Sequence, residues 1–389
     1  MPWKETCAMD ERIRFIGDWL SGSYSKTGLC EVYGISRPTG DKWIGRYERE
    51  GVEGLKERSR APHTHPGTVL PEHREMIIKT KLRYQDWGPK KVMDWLRRHY
   101  PRGSWPADST AGEILLRAGL VKPRHCRRRV AADAEPFGCC RGANVSWSAD
   151  FKGDFRLGNG QRCYPLTISD NYSRYVLACR ALTRTHYEAV RPWFEWVFRE
   201  YGLPEAIRTD NGSPFASVAL GGLTRLSTWW IQLGIRPERI EPGKPQQNGR
   251  HERMHRTLGS GVRPIQNTVA AQQGQFDVWL QAFNWERSHE ALGRQTPGSV
   301  YRASSRPYPV KPPAVEYDPE MVVRQIRHNG EMKWRGQLLY VTEVLKQEPV
   351  GMKQVAEDRW AIYYSFHLLG YLDDRTCTIR PPDRWHGKT

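Results

Sequence analysis

The 389-residue chain carries 60 Lys and Arg against 43 Asp and Glu, a formal charge of +17 and a pI near 9.6, a balance that points to a polyanionic partner. No stretch approaches the ~20 apolar residues of a membrane span and the first residues do not resemble a secretory signal, so the expected location is the cytoplasm, at the nucleoid, with no membrane partner. Eight cysteines without a CxxC pair argue against a zinc knuckle and a disulfide scaffold.

Residues 1–60 read as a helix-turn-helix unit. Ile13, Phe15, Ile16, Trp19 and Leu20 predict one apolar face on a first helix, and Ser21-Gly22-Ser23 ends it. A second helix is expected over 25–33, and Gly34-Ile35-Ser36 turns the chain into a third that opens at Pro38 and runs to about residue 47. Helix, glycine-containing turn and helix at this spacing is the pattern that lays a recognition helix in a major groove. Trp43 and Ile44 should pack inward, leaving Arg37, Thr39, Lys42 and Arg46 for DNA. A breaker-rich stretch at 62–67 leads through a second unit of the same kind, residues 61–121, with helices expected over 72–84, 89–99 and 109–118. Residues 122–140 form a basic, aperiodic linker in which Lys122, Arg124, Arg127, Arg128 and Arg129 are candidate phosphate contacts.

The next region, 141–303, changes character. Alternation predicts a strand from 144 that runs past Asp150 through Phe155 and Leu157, then strands over 163–168 and 175–179, joined by short turns into an antiparallel meander. Asp170 reads as a turn residue there. Over 186–201 the period becomes helical, with Tyr187, Val190, Phe194, Val197 and Phe198 on one face. A crossover helix permits a parallel strand next, and 206–209, ending on Asp210-Asn211-Gly212, is the candidate. If it lies beside the first strand, Asp150 and Asp210 become neighbours despite 59 intervening residues. Glu252 belongs to a helix expected over 247–258, where it can pair with Arg256, and Asn248 is a candidate cap. Lys244, Arg250 and Arg253 flank it as candidate DNA contacts. Three hard oxygen ligands from two strands and a helix suit Mg²⁺ or Mn²⁺, and two such ions clamp the attacking and leaving oxygens of a phosphoryl displacement. A further helix is expected after Gln275, with Phe276, Trp279, Leu280, Phe283 and Trp285 as its apolar positions. Residues 304–389 open on a proline-rich linker and continue as short strands, near 322–326, 331–334, 337–341, 349–354, 360–364 and 367–372, expected to form a small antiparallel β-barrel.

The phrases Trp147-Ser148-Ala149-Asp150-Phe151, Ile168-Ser169-Asp170-Asn171-Tyr172-Ser173-Arg174, Arg208-Thr209-Asp210-Asn211-Gly212-Ser213-Pro214-Phe215 and Pro245-Gln246-Gln247-Asn248-Gly249-Arg250-His251-Glu252-Arg253 closely resemble those of bacterial insertion-sequence transposases with a retroviral-integrase-type core. The resemblance implies a ribonuclease-H-like mixed sheet and a catalytic, metal-holding triad of Asp150, Asp210 and Glu252, with Asp150 bridging two ions. It implies hydrolysis at the ends of a mobile element followed by strand transfer into target DNA, by a homo-oligomer on double-stranded DNA without a nucleotide cofactor. One departure stands out: 41 residues separate Asp210 from Glu252, more than is usual in such cores, and the surplus is expected near Leu220-Gly221-Gly222-Leu223-Thr224. A catalytically silent DNA-binding descendant and a ribonuclease-H-like nuclease that cuts without joining are the competing readings.

Overall fold

The structure is a computed structural model, and it describes residues 7–59, 68–122, 140–217, 219–240 and 248–382. It divides into two compact units, Met1–Thr68 and Val69–Thr389. The first holds helices α1 (Ala8–Leu20), α2 (Lys26–Val32) and α3 (Arg37–Glu50). Phe15, Ile16, Leu29, Cys30, Trp43, Ile44 and Leu55 make its core. Gly34 supplies the left-handed turn between α2 and α3 at φ 61°. Ile13 and Leu20, expected on the apolar face, are 44% and 58% exposed. They lie seven residues apart and so share a helix face, but a different one from Phe15, Ile16 and Trp19.

The second unit begins with α4 (Pro71–Arg83), α5 (Pro89–His99) and α6 (Asp108–Arg117), closed over Ile77, Trp87, Val92, Met93, Leu96, Ala111 and Leu115. Beyond them a mixed sheet is built from β1 (Ser146–Phe151), β2 (Phe155–Arg156), β3 (Arg162–Asp170), β4 (Val176–Leu182), β5 (Ala206–Thr209) and β6 (Arg236–Arg239). β1 is antiparallel to β3, which is antiparallel to β4. The long strand expected through Asp150 breaks after Phe151, and β2 resumes pairing along the same edge of β3. β5 lies parallel to β1, with Ser146 opposite Ala206 and Ser148 opposite Arg208, and β6 lies parallel to β5.

Two helical layers cover the sheet. On one face α7 (Tyr187–Tyr201) and α8 (Arg225–Gln232) bury Val190, Phe194, Phe198, Leu226 and Trp230 against Trp147, Ala149, Leu166, Ile168 and Ile207. On the other, α9 (Gly249–Gly261) and α10 (Val269–Gln281) bury Met254, Leu258, Phe276 and Trp279 against Cys163, Val176 and Cys179. The last of these helices starts seven residues earlier than expected and ends in a wider turn, Ala282–Glu286, that leaves Trp285 52% exposed instead of packed. Strand alternation decides which residues meet which layer. With Trp147 and Ala149 facing α7, Ser148 and Asp150 must face α9.

The C-terminal region corrects the expectation of a closed barrel. It forms two antiparallel sheets: a five-stranded one in the order β13 (Thr378–Arg380), β12 (His367–Asp373), β11 (Arg359–Tyr364), β10 (Pro349–Ala356), β7 (Val322–Gln325), and a hairpin of β8 (Glu331–Trp334) with β9 (Gln337–Tyr340). No ladder joins the two among the described residues. The hairpin turns through Arg335 and Gly336, both at positive φ, after only four residues per strand, so its backbone pairs with itself. Its side chains Met332, Trp334 and Leu339 complete a core shared with Val350, Met352, Ile362, Tyr364 and Leu369.

That core also takes in Leu223 and Ile231 from the segment between β5 and β6. Gly221, at φ +65°, lies so close to β12 that a Cβ there would stand 3.1 Å from the Leu369 Cα, and His367 Nε2 is 3.2 Å from the Gly221 carbonyl. The surplus residues after Asp210 therefore serve as the seat of the C-terminal sheets. Removing residues 304–389 should uncover Leu223 and Ile231 and loosen this segment. Hydrogen exchange across 211–231 is expected to rise by at least ~10-fold on truncation, and unchanged protection there would contradict the docking role.

Candidate active site

Asp150 follows the buried part of β1, and the β1–β5 register, continued by two residues, sets it opposite Asp210 just past the end of β5. Asp210 folds back over its own turn, accepting the Gly212 N–H at 3.2 Å, while Asn211 donates to the Ile240 carbonyl at 2.9 Å. Glu252 comes from the first turn of α9 and is exposed. The expected Glu252–Arg256 ion pair does not form, which leaves the carboxylate uncommitted among the described residues. Asn248 stands at the N-cap of α9 and is buried, but its side chain makes no capping bond.

The electrostatics register the convergence. Burial, then the charge of Asp210 and, more weakly, that of Glu252, push the Asp150 carboxyl up to about 7 against the opposing hydrogen bond from the Phe151 backbone. Carboxylates gathered in this way fit a divalent cation by donor type and by charge. The sign of the pH dependence follows. Because a cation binds the ionised form, Mg²⁺ or Mn²⁺ affinity should fall as pH drops below about 7, approaching ~10-fold per pH unit. In metal-free protein the folded state holds a proton that the unfolded chain releases, so stability should decline as pH rises from about 4 toward 7. Calorimetric titrations at pH 6 and pH 8 check the first statement, and equal affinities would contradict it.

A buried polar layer lies behind the carboxylates. Thr167, the cross-strand partner of Asp150, donates its hydroxyl proton to the Asp150 carbonyl at 3.0 Å. His251 and His255, one turn apart on α9, meet the same hydroxyl through their Nε2 atoms at 2.8 and 2.7 Å. Asp170 is wholly structural: it accepts the Asn144 N–H at 2.8 Å, the Ser173 N–H at 2.7 Å and the Ser173 hydroxyl at 2.6 Å, and so closes the β3–β4 turn. Sequence reasoning missed the two histidines. Their i, i+4 spacing on the helix that bears Glu252 was the available signal, since it places both on one face.

The candidate DNA contacts separate into groups. Arg37 and Lys42 are exposed on α3, as are Arg253 on α9 and Lys122 at the end of the second helical region. Thr39 and Arg46 are half-buried, not free: Thr39 bonds the Ser36 hydroxyl at 2.9 Å, and the Arg46 guanidinium lies 5.1 Å from the centre of the Trp43 ring. Arg250 uses one arm to donate to the Asn171 carbonyl at 3.1 Å, tying α9 to the β3–β4 turn. Arg124, Arg127, Arg128, Arg129 and Lys244 lie outside the described residues. A cleft of about 1160 Å³ bordered by Tyr84, Trp87, Trp196 and Trp279 includes none of the three carboxylates. They sit instead at the open end of the sheet.

Residues 141–245 match the integrase core domain family, and residues 233–297 match a second family model of the same description. The chain carries an integrase core. Residues 11–63 match a helix-turn-helix domain and 39–115 a homeodomain-like domain. Among curated proteins, the integrase-core chain is 29% identical over 196 residues to the 31.7 kDa protein of insertion element IS407 from Burkholderia multivorans, covering 50% of this chain and 68% of that one. It is 24% identical over 251 residues to the 39.2 kDa protein of insertion element IS476 from Xanthomonas euvesicatoria, covering 61% and 66%. The chain thus spans about two thirds of the length of these relatives. A solved structure of the HTLV-2 integrase catalytic core domain in complex with magnesium aligns with 42% of this chain and 99% of that one, at 14% identity and a TM-score of 0.33. The resemblance carried by the motifs, to insertion-sequence transposases with an integrase-type core, holds. Among the described residues no helix is long and apolar enough to cross a membrane.

Proposed function

We propose that this integrase-core protein is a DNA transposase that binds the ends of an insertion element, hydrolyses a phosphodiester there and joins the freed end to target DNA. What supports the reading is the parallel β1–β5 register that, continued, sets Asp150 opposite Asp210, with the charge of Glu252 also raising the Asp150 carboxyl, on a chain that also has helix-turn-helix domains. Water attacks the phosphorus at the element end, and the leaving 3′ oxygen takes up a proton to become a hydroxyl. That hydroxyl then attacks a phosphodiester of the target, whose own 3′ oxygen leaves. One bond forms as one breaks, so joining needs neither ATP nor a covalent enzyme intermediate.

Asp150, Asp210 and Glu252 are the residues that would hold divalent metal, two ions of Mg²⁺ or Mn²⁺ in this proposal. Bound there, the ions would supply charge stabilisation for the attacking and leaving oxygens. The recognition units at 1–60 and 61–121 would each take part of a terminal sequence, Arg37 and Lys42 from α3 and Arg253 beside the carboxylates facing phosphates. Linker residues Lys122, Arg124, Arg127, Arg128 and Arg129, with Lys244, would extend the basic track to the core at 141–303. Residues 304–389 would brace the core, and two or more copies would bridge two element ends.

The test is incubation of the full chain with a labelled duplex carrying the element's own ends and a target duplex in Mg²⁺ or Mn²⁺. Nicked and joined products together are expected. Nicking without joining would favour a nuclease, and salt-sensitive binding with neither product would favour a DNA-binding protein without catalysis.

A further inference from the structure

His255 faces Asp150 in a way that the triad does not account for. The ligand atoms of Asp150, His251 and His255 all lie within 4.8 Å of one another, and the protons of this cluster can be assigned by elimination. The Thr167 hydroxyl has one proton and directs it to the Asp150 carbonyl, which can only accept. Toward both imidazoles Thr167 must therefore accept, so His251 and His255 each carry hydrogen on Nε2. A neutral imidazole carries a single ring hydrogen. Each Nδ1 then bears a lone pair. At His251 that lone pair receives the Ser169 hydroxyl at 3.0 Å. At His255 it has no donor among the described residues, and Asp150 Oδ2 stands 4.0 Å away. Two electron-pair donors face each other in a site where the His255 side chain is only 12% exposed.

We infer that His255 Nδ1 is a metal ligand, so that Asp150 and His255 form a mixed nitrogen and oxygen site for a first-row transition ion of the Mn²⁺ type. The 4.0 Å gap is close to twice a metal–ligand bond of ~2.1 Å, and a small rotation of the carboxylate brings both donors onto one ion. His251 is excluded as a ligand because both its nitrogens are engaged. Imidazole binds first-row transition ions in rising order from Mn²⁺, the weakest of the series and one that also takes oxygen ligands, whereas Mg²⁺ holds to oxygen and water. The consequence is a metal preference that a carboxylate-only triad lacks: His255→Gln should weaken Mn²⁺ binding by at least ~10-fold and change Mg²⁺ binding by less than ~2-fold.

This inference rests on Asp150 holding metal, and its test separates the two claims. Pulsed electron paramagnetic resonance of Mn²⁺ bound to the full chain reads nitrogen coordination directly, without any turnover. Modulation from a coordinated ¹⁴N is expected in the wild type and should vanish in His255→Gln while Mn²⁺ stays bound to the carboxylates. Bound Mn²⁺ without nitrogen modulation in the wild type would overturn the His255 assignment and leave the carboxylate site intact. No bound Mn²⁺ would overturn both. Should His255→Gln fail to fold, the wild-type spectrum alone decides.

Discussion

Asp150→Asn is expected to lower DNA cleavage by at least ~10³-fold, about 4 kcal/mol of transition-state stabilisation, and at the same time to raise the thermal stability of the metal-free protein above pH 7. The two effects have one origin. Asp150 is held in a partly buried site against the charges of Asp210 and Glu252, which is why its carboxyl titrates near 7. Ionising it in the folded chain costs up to about 4 kcal/mol relative to the unfolded chain when no cation is present. Asn keeps the shape, removes that cost and loses the metal-binding charge. Single-turnover cleavage and calorimetry at pH 8 with chelator measure both quantities. A variant that is inactive and less stable would mean that Asp150 is a structural residue whose loss disturbs the sheet.

Glu252→Gln should cost activity on the same scale, at least ~10³-fold, with almost no effect on folding. Glu252 is exposed and makes no ion pair with Arg256, so its replacement by an isostere falls among surface changes of about ±0.5 kcal/mol. Cleavage rate and urea midpoint measured on the same preparation check the contrast. Retained cleavage would remove Glu252 from the site and leave a two-carboxylate centre on β1 and β5.

Much of the core could be read from the chain because its signals were local. The strand 206–209 was legible from its apolar content and from the crossover helix before it, and the structure gives it the same bounds and the expected parallel place beside β1. The helices of the second recognition region fall within one residue of their expected ends, since Pro71, Pro89 and Gly119 mark the boundaries. β6 escaped notice because Arg236-Pro237-Glu238-Arg239 has neither alternation nor an apolar face. It is an edge strand, paired along one side and tied through Glu238 to Arg208 at 3.1 Å. Trp285 was expected to pack because it continues an apolar series, but the wider turn at 282–286 rotates it out of phase. The histidine cluster needed a tertiary fact: only the β1–β3 register brings Thr167 beside Asp150, and only the docking of α9 brings His251 and His255 to Thr167.

In the proposed function, carboxylates from two adjacent strands and a helix drive metal-dependent chemistry on DNA. Its most direct test compares the wild type with Asp210→Asn on a labelled duplex bearing the element's ends, in Mg²⁺ and in Mn²⁺. The expected result is metal-dependent nicking and joining in the wild type, loss of both in the variant, and unchanged DNA affinity, because Asp210 lies outside the helix-turn-helix regions. Equal product from the two proteins would contradict this function, since the chemistry would then not need the carboxylate that the parallel β1–β5 pairing sets opposite Asp150.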